Sequence, residues 1–73
     1  MLSYYIVVNH VKREYWVAEP KYCERIEADI KRLKSRYGED GITFYSTDIK
    51  NLNTDLEVEK HRGYVESHYI NWI

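Results

Sequence analysis

A single cysteine, Cys23, stands in the whole chain, so no intrachain disulfide can staple the fold. A lone thiol suits a reducing compartment, which points to a cytoplasmic protein. One proline and three glycines are the only backbone punctuation in 73 residues. That leaves no low-complexity linker and no Gly-rich phosphate loop. No apolar run approaches the roughly 20 residues needed to span a bilayer. The opening Met1-Leu2-Ser3-Tyr4-Tyr5-Ile6-Val7-Val8 lacks the basic segment of a secretory leader. No membrane is expected as a partner. Neither sign of charge dominates: 11 Lys and Arg face 12 Asp and Glu, a net charge of −1. Bulk attraction to nucleic acid or membrane is therefore weak.

Chemistry-bearing constellations are missing too. His10, His61 and His68 are far apart and share no metal-ligand spacing with Cys23. His68 and Glu66 would share one strand face, too little for a site. No nucleophile elbow or H-E-x-x-H pattern occurs. Cys23 reads as a small buried hydrophobe. The expectation is no enzyme, no catalytic residue, no cofactor and no metal.

What the chain has in quantity is aromatic side chains: eight tyrosines, two tryptophans and one phenylalanine. Residues 1–73 form one domain near the lower size for unaided folding. Its own core is expected to supply no more than about 3–5 kcal/mol of net stability. Without disulfide or metal, the remaining common staple is a second chain. Tyr and Trp, apolar with polar tips, are enriched where a partner docks.

Ser3–Asn9 is β-branched and aromatic on both alternating faces and predicts a strand. His10-Val11-Lys12-Arg13 is a hairpin connection into a second strand, Glu14–Ala18. Pro20 then opens a helix and Gly38 closes it, with Tyr22, Ile26, Ile30, Leu33 and Tyr37 at helical spacing between them. Ile42–Thr47 is a third strand. Further on, Asp55–Lys60 alternates with period two, His61-Arg62-Gly63 resembles a hairpin loop with Gly in a bulge, and Tyr64–Ile70 could pair back. A competing reading makes Asp55–Tyr69 a helix capped by Thr54, against which Gly63 stands as an interruption. The expected fold is α+β, a single helix packed on a mostly antiparallel sheet in the order β-β-α-β-β-β.

Two charged features stand out. At 100° per residue, Lys21, Arg25, Arg32 and Arg36 fall within an arc of about 60°, a cationic ridge beside the apolar stripe. Glu27 and Lys31 are spaced to pair, and Asp29 borders the ridge near Arg32. Residues 1–37 carry +3 and residues 38–73 carry −4. Within the acidic part, Asp55, Glu57 and Glu59 would line one face of a strand, as a row that could imitate phosphates.

One helix cannot cover both faces of such a sheet. Tyr5, Val7 and Trp16 are expected on an uncovered far face, where they would form a protein interface or homodimer. The expected function is a small non-enzymatic protein-binding module. By composition it has the profile of a phage- or virus-type inhibitor that binds a host replication, transcription or defence protein. The alternatives are a nucleic-acid-binding module that uses the basic ridge with aromatic stacking platforms, and an assembly subunit of a larger complex.

Overall fold

The computed structural model describes residues 3–73. Met1 and Leu2, where the leader reading began, and the Cys23 side chain, read as a buried hydrophobe, lie outside the described residues.

The first two strands form where β-branched and aromatic residues crowd. β1 (Tyr4–Asn9) pairs antiparallel with β2 (Glu14–Ala18), in the register Asn9 with Glu14 and Val7 with Trp16. The four-residue link is tied by Asn9, whose Oδ1 accepts from the N–H groups of Val11 and Lys12, both at 3.0 Å. Arg13 closes it with φ of +58°. That left-handed backbone costs a residue with a Cβ roughly 1–2 kcal/mol. Glycine escapes this cost but gives back part of it through its looser unfolded chain. An Arg13→Gly variant is therefore expected to gain about 0.5–1 kcal/mol in urea unfolding. A lower midpoint would contradict this loop geometry.

Pro20–Tyr22 forms a 3-10 turn that leads into α1 (Cys23–Tyr37). Gly38 ends the helix at φ of +92°, with its N–H on the Lys34 carbonyl at 2.8 Å. Ile26 and Leu33 are fully buried beneath α1, and Ile30 and Tyr37 are partly so. β3 (Ile42–Thr47) then returns antiparallel to the other side of β1.

The last third departs from expectation. Residues 55–60 are not a strand: Leu52–His61 is a second helix, α2. Its start is held by Asp48, whose Oδ1 accepts from the Asn51 N–H at 2.9 Å, so Thr54 is not the cap. Gly63, at φ of +82°, ends α2 instead of bulging a hairpin. The Gly63 N–H donates to the Lys60 carbonyl and the Tyr64 N–H to that of Glu59, at 3.0 and 3.1 Å. This is the paired 5→2 and 6→1 closure that a left-handed glycine permits. The physical reason for a helix is burial: Leu52 and Leu56, four residues apart, reach Ile6, Val8 and Tyr15 together.

The expected fifth strand shrinks to β4 (Val65–Glu66), parallel to β2. The chain then leaves the sheet for a 3-10 turn, Tyr69–Trp72, which buries Tyr69 and Trp72 under the α1 side. Burying an indole of some 150–250 Å² contributes about 4–6 kcal/mol, more than a few extra ladder bonds. The fold is α+β as expected, but with two helices and the order β-β-α-β-α-β. Its sheet is mixed, in the order β3-β1-β2-β4.

Both sheet faces are covered. Val7, Ala18 and Ile42 face α1 and the C-terminal turn, while Ile6, Val8 and Tyr15 face α2. The uncovered far face expected from the sequence is therefore corrected. Tyr5, Val7 and Trp16 point towards α1, and Val7 is completely buried. The chain itself supplies the second cover.

Candidate binding groove

The turn that carries Tyr69 inward also builds a cleft. Trp16 and Val17 come from β2, Glu19 and Tyr22 from the approach to α1, Arg25 from its first turns, and His68, Tyr69 and Ile70 from the C-terminal segment. They enclose an open groove of about 450 Å³. Trp16 is its centre. Its ring lies 4.6 Å from His68, 4.7 Å from Tyr69 and 6.4 Å from Tyr22, the last at an interplanar angle of 51°. Trp16 and Tyr22 thus diverge like two walls.

The floor is fixed by hydrogen bonds. The Tyr69 hydroxyl donates to Asp29 Oδ2 at 3.0 Å. Burial raises the Tyr69 pKa, and the Asp29 bond and charge add to it, so this phenol stays protonated and holds its bond. His68 Nδ1 accepts from the Ile70 N–H at 3.1 Å, so in the neutral ring Nε2 carries the proton. Among the described residues, the Trp16 indole N–H and the Tyr22 hydroxyl make no hydrogen bond. The groove therefore offers unused donors beside apolar ring faces. Ile70, 65% exposed, adds an apolar lip.

The cationic ridge is divided by this geometry. Lys21 sits on the 3-10 turn, with Nζ 3.6 Å from Glu19 and 5.1 Å from the Tyr22 ring centre. Arg25 lies in the groove wall. Arg32 and Arg36 are exposed along α1, roughly 10 and 16 Å beyond Arg25 at 1.5 Å per residue. Neither makes an ion pair among the described residues. The acids named beside the ridge are occupied by tyrosines: Glu27 accepts from Tyr5 at 3.1 Å and Asp29 from Tyr69. The expected Glu27–Lys31 pair and the neutralising of Arg32 by Asp29 are not formed.

The acidic row does not exist as a row. On α2, residues two apart point to opposite sides. Glu57 is exposed and pairs with Lys60 at 3.8 Å, while Asp55 is half-buried and Glu59 only 3% exposed. Glu59 Oε2 has no hydrogen bond and lies 3.8 Å from Arg62 Nη1. Beneath them the Tyr45 phenol is pushed up to about 12, first by burial and then by the charges of Glu59 and Asp55. These acids shape the packing under α2 and present no phosphate-like face.

His10 also finds structural partners. It bridges the Tyr64 hydroxyl at 2.9 Å and Thr43 Oγ1 at 2.8 Å. Among the described residues no three His, Cys, Asp or Glu side chains gather to hold a metal, and no helix is long and apolar enough to cross a membrane.

Sequence reasoning missed Tyr22, His68, Tyr69 and Ile70 as one site, because residues 64–70 were read as a strand. The usable signal was Tyr69 and Trp72, three residues apart at the end of the chain, which is the spacing of a 3-10 turn with one buried side. Compared with known proteins, the chain matches no protein-family model, no curated protein and no solved structure.

Proposed function

We propose that this chain is a non-enzymatic protein-binding module that grips an extended segment of a larger protein in the Trp16–Tyr22–His68–Tyr69 groove. The carrying observation is the open cleft itself: divergent aromatic walls, an indole N–H without a hydrogen-bond partner, and Arg25 in the lining. Rigid aromatic rings supply contact area at little entropic cost, and Arg offers a bidentate grip on a carboxylate. A partner segment with an acidic residue next to an apolar one fits both. A module of this size acts by occupying a surface on its target, the mode of an inhibitor or regulator. In the setting drawn from its composition, a phage- or virus-type protein in the host cytoplasm, that target is a host protein.

A nucleic-acid reading has one specific observation in its favour: Lys21 and Arg25 stand beside rings on which bases can stack. The net charge of −1 weighs against it.

The deciding experiment compares the wild type with Tyr22→Ala/Arg25→Glu, two exposed changes that spare the core. Affinity capture is read by mass spectrometry, and gel shifts use single- and double-stranded oligonucleotides. The expected result is a specific protein retained by the wild type and weakened about 30-fold or more in the variant, the loss of a hot spot of some 2 kcal/mol. Equal capture by both proteins refutes the groove. An oligonucleotide shift at physiological salt that the variant loses establishes the second reading instead.

A further inference from the structure

We propose that β3 is a self-association edge: it pairs antiparallel with β3 of a second copy, so that two four-stranded sheets become one. Parity of the ladder carries the argument. The His10 N–H donates to the Gly41 carbonyl at 2.8 Å, which makes residues 10 and 41 a hydrogen-bonded pair. Such pairs alternate along an antiparallel ladder. Val8 with Thr43, Ile6 with Tyr45 and Tyr4 with Thr47 are then the inward-bonded pairs. Ile42, Phe44 and Ser46 therefore turn their N–H and C=O groups away from β1. Among the described residues no strand lies beyond them, since the sheet order ends at β3. No other backbone bond among the described residues reaches them.

Unpaired edges are normally blunted by short length, charge, Pro or a bulge. The opposite edge follows that rule: β4 has two residues, one of them Glu66. β3 does not. Its six residues, Ile42-Thr43-Phe44-Tyr45-Ser46-Thr47, contain no charge and no proline.

The occupant that fits is a second copy. With a two-fold axis at Phe44, Ile42 lies against the partner copy's Ser46 and Phe44 against itself. The central Phe44 pair forms about two hydrogen bonds, and the two flanking Ile42–Ser46 pairs add about four more only where Ile42, 3% exposed, is reached. On the other face Thr43 meets Tyr45 across the junction, a favourable β-branched and aromatic pairing. Charge is mixed in this register: Asp40 falls opposite Asp48 of the other copy, while Lys50 falls diagonally beside Glu39. Glu39, which pairs with Lys34 at 3.8 Å, and Asp40 precede β3, and Lys50, exposed and without an ion pair among the described residues, follows it. An antiparallel copy brings the acidic start of one strand towards the Lys50 end of the other. Asp48, which also lies near that end, accepts from the uncharged Asn51 N–H and side-chain amide at 2.9 and 3.0 Å. The groove lies on the β2 side of the sheet, so a β3 dimer leaves both grooves open and makes the assembly bivalent.

Sedimentation velocity over the micromolar to millimolar range tests this, with far-UV circular dichroism as the check on folding. The expected result is a concentration-dependent species of twice the 8.9 kDa protomer mass. Ser46→Pro removes an outward N–H that the inner ladder does not use, and is expected to weaken association at least about tenfold. Lys50→Glu, far from any core, should also weaken it, and Glu39→Lys/Asp40→Lys in the same chain should restore it. If Ser46→Pro fails to fold, the charge pair decides alone. A monomer throughout, or association that a folded Ser46→Pro and Lys50→Glu both leave intact, overturns the proposal.

Discussion

A Trp72→Ala variant is expected to lose about 3–5 kcal/mol of stability and to unfold at a much lower urea concentration than the wild type. Trp72 is fully buried, its indole N–H donates to Glu14 Oε1 at 2.7 Å, and its carbonyl accepts from the Tyr37 hydroxyl at 2.6 Å. The substitution empties the largest buried side-chain volume in the chain and leaves the Glu14 carboxylate without its donor. For 73 residues at roughly 0.05–0.15 kcal/mol each, the whole stability is only about 4–11 kcal/mol. Trp72→Phe keeps much of the ring and loses the hydrogen bond, so it should cost less, about 1–3 kcal/mol. Urea titrations of the two variants against the wild type settle the comparison. A loss below about 1 kcal/mol for the alanine variant would mean that the C-terminal turn is not docked.

The second large effect concerns the opposite face. Leu52→Ala/Leu56→Ala strips α2 of the two side chains that reach Ile6, Val8 and Tyr15. Both leucines are partly exposed, so the pair is expected to cost about 2–5 kcal/mol together rather than twice the price of a buried leucine. An isolated ten-residue helix is marginal in water, so α2 should melt once undocked. The uncovered β1 and β2 face then binds a hydrophobic dye and promotes aggregation. A variant that keeps its helical circular dichroism and stays free of dye would show that other contacts hold α2.

How much of this was legible differs along the chain. β1, the four-residue hairpin loop, β2, α1 and β3 follow from β-branched runs and from two punctuation marks, Pro20 and Gly38, whose meanings are unambiguous at those places. Residues 52–72 offered no such clarity. Leu56 and Val58 fit an alternating strand, while Leu52 and Leu56 fit a helix. Gly63 fits either a bulge or a helix stop, since both need a positive φ. What decides is long-range: Ile6 and Val8 need a cover, and only a helix brings Leu52 and Leu56 to them at once. The premise that one helix leaves an apolar face bare was sound, but the cover comes from within the chain. That error carried through to the sites. Tyr5 and Val7 were placed on an open face that α1 in fact covers, Trp16 on that face and not in the groove it lines, and Asp55, Glu57 and Glu59 in a row that a helix disperses. Lys21 and Arg25 kept a place beside a groove, while Arg32 and Arg36 remain a solvated face.

The fold depends on a sheet wrapped on both sides by its own polypeptide. Residue-resolved hydrogen exchange of the dilute protein addresses this most directly, read at the amides from Leu56 to Tyr64. Strong protection there, comparable with that of β1, is the predicted outcome. Exchange at the rate of an unstructured peptide, with β1 still protected, would contradict it and return that sheet face to an outside partner.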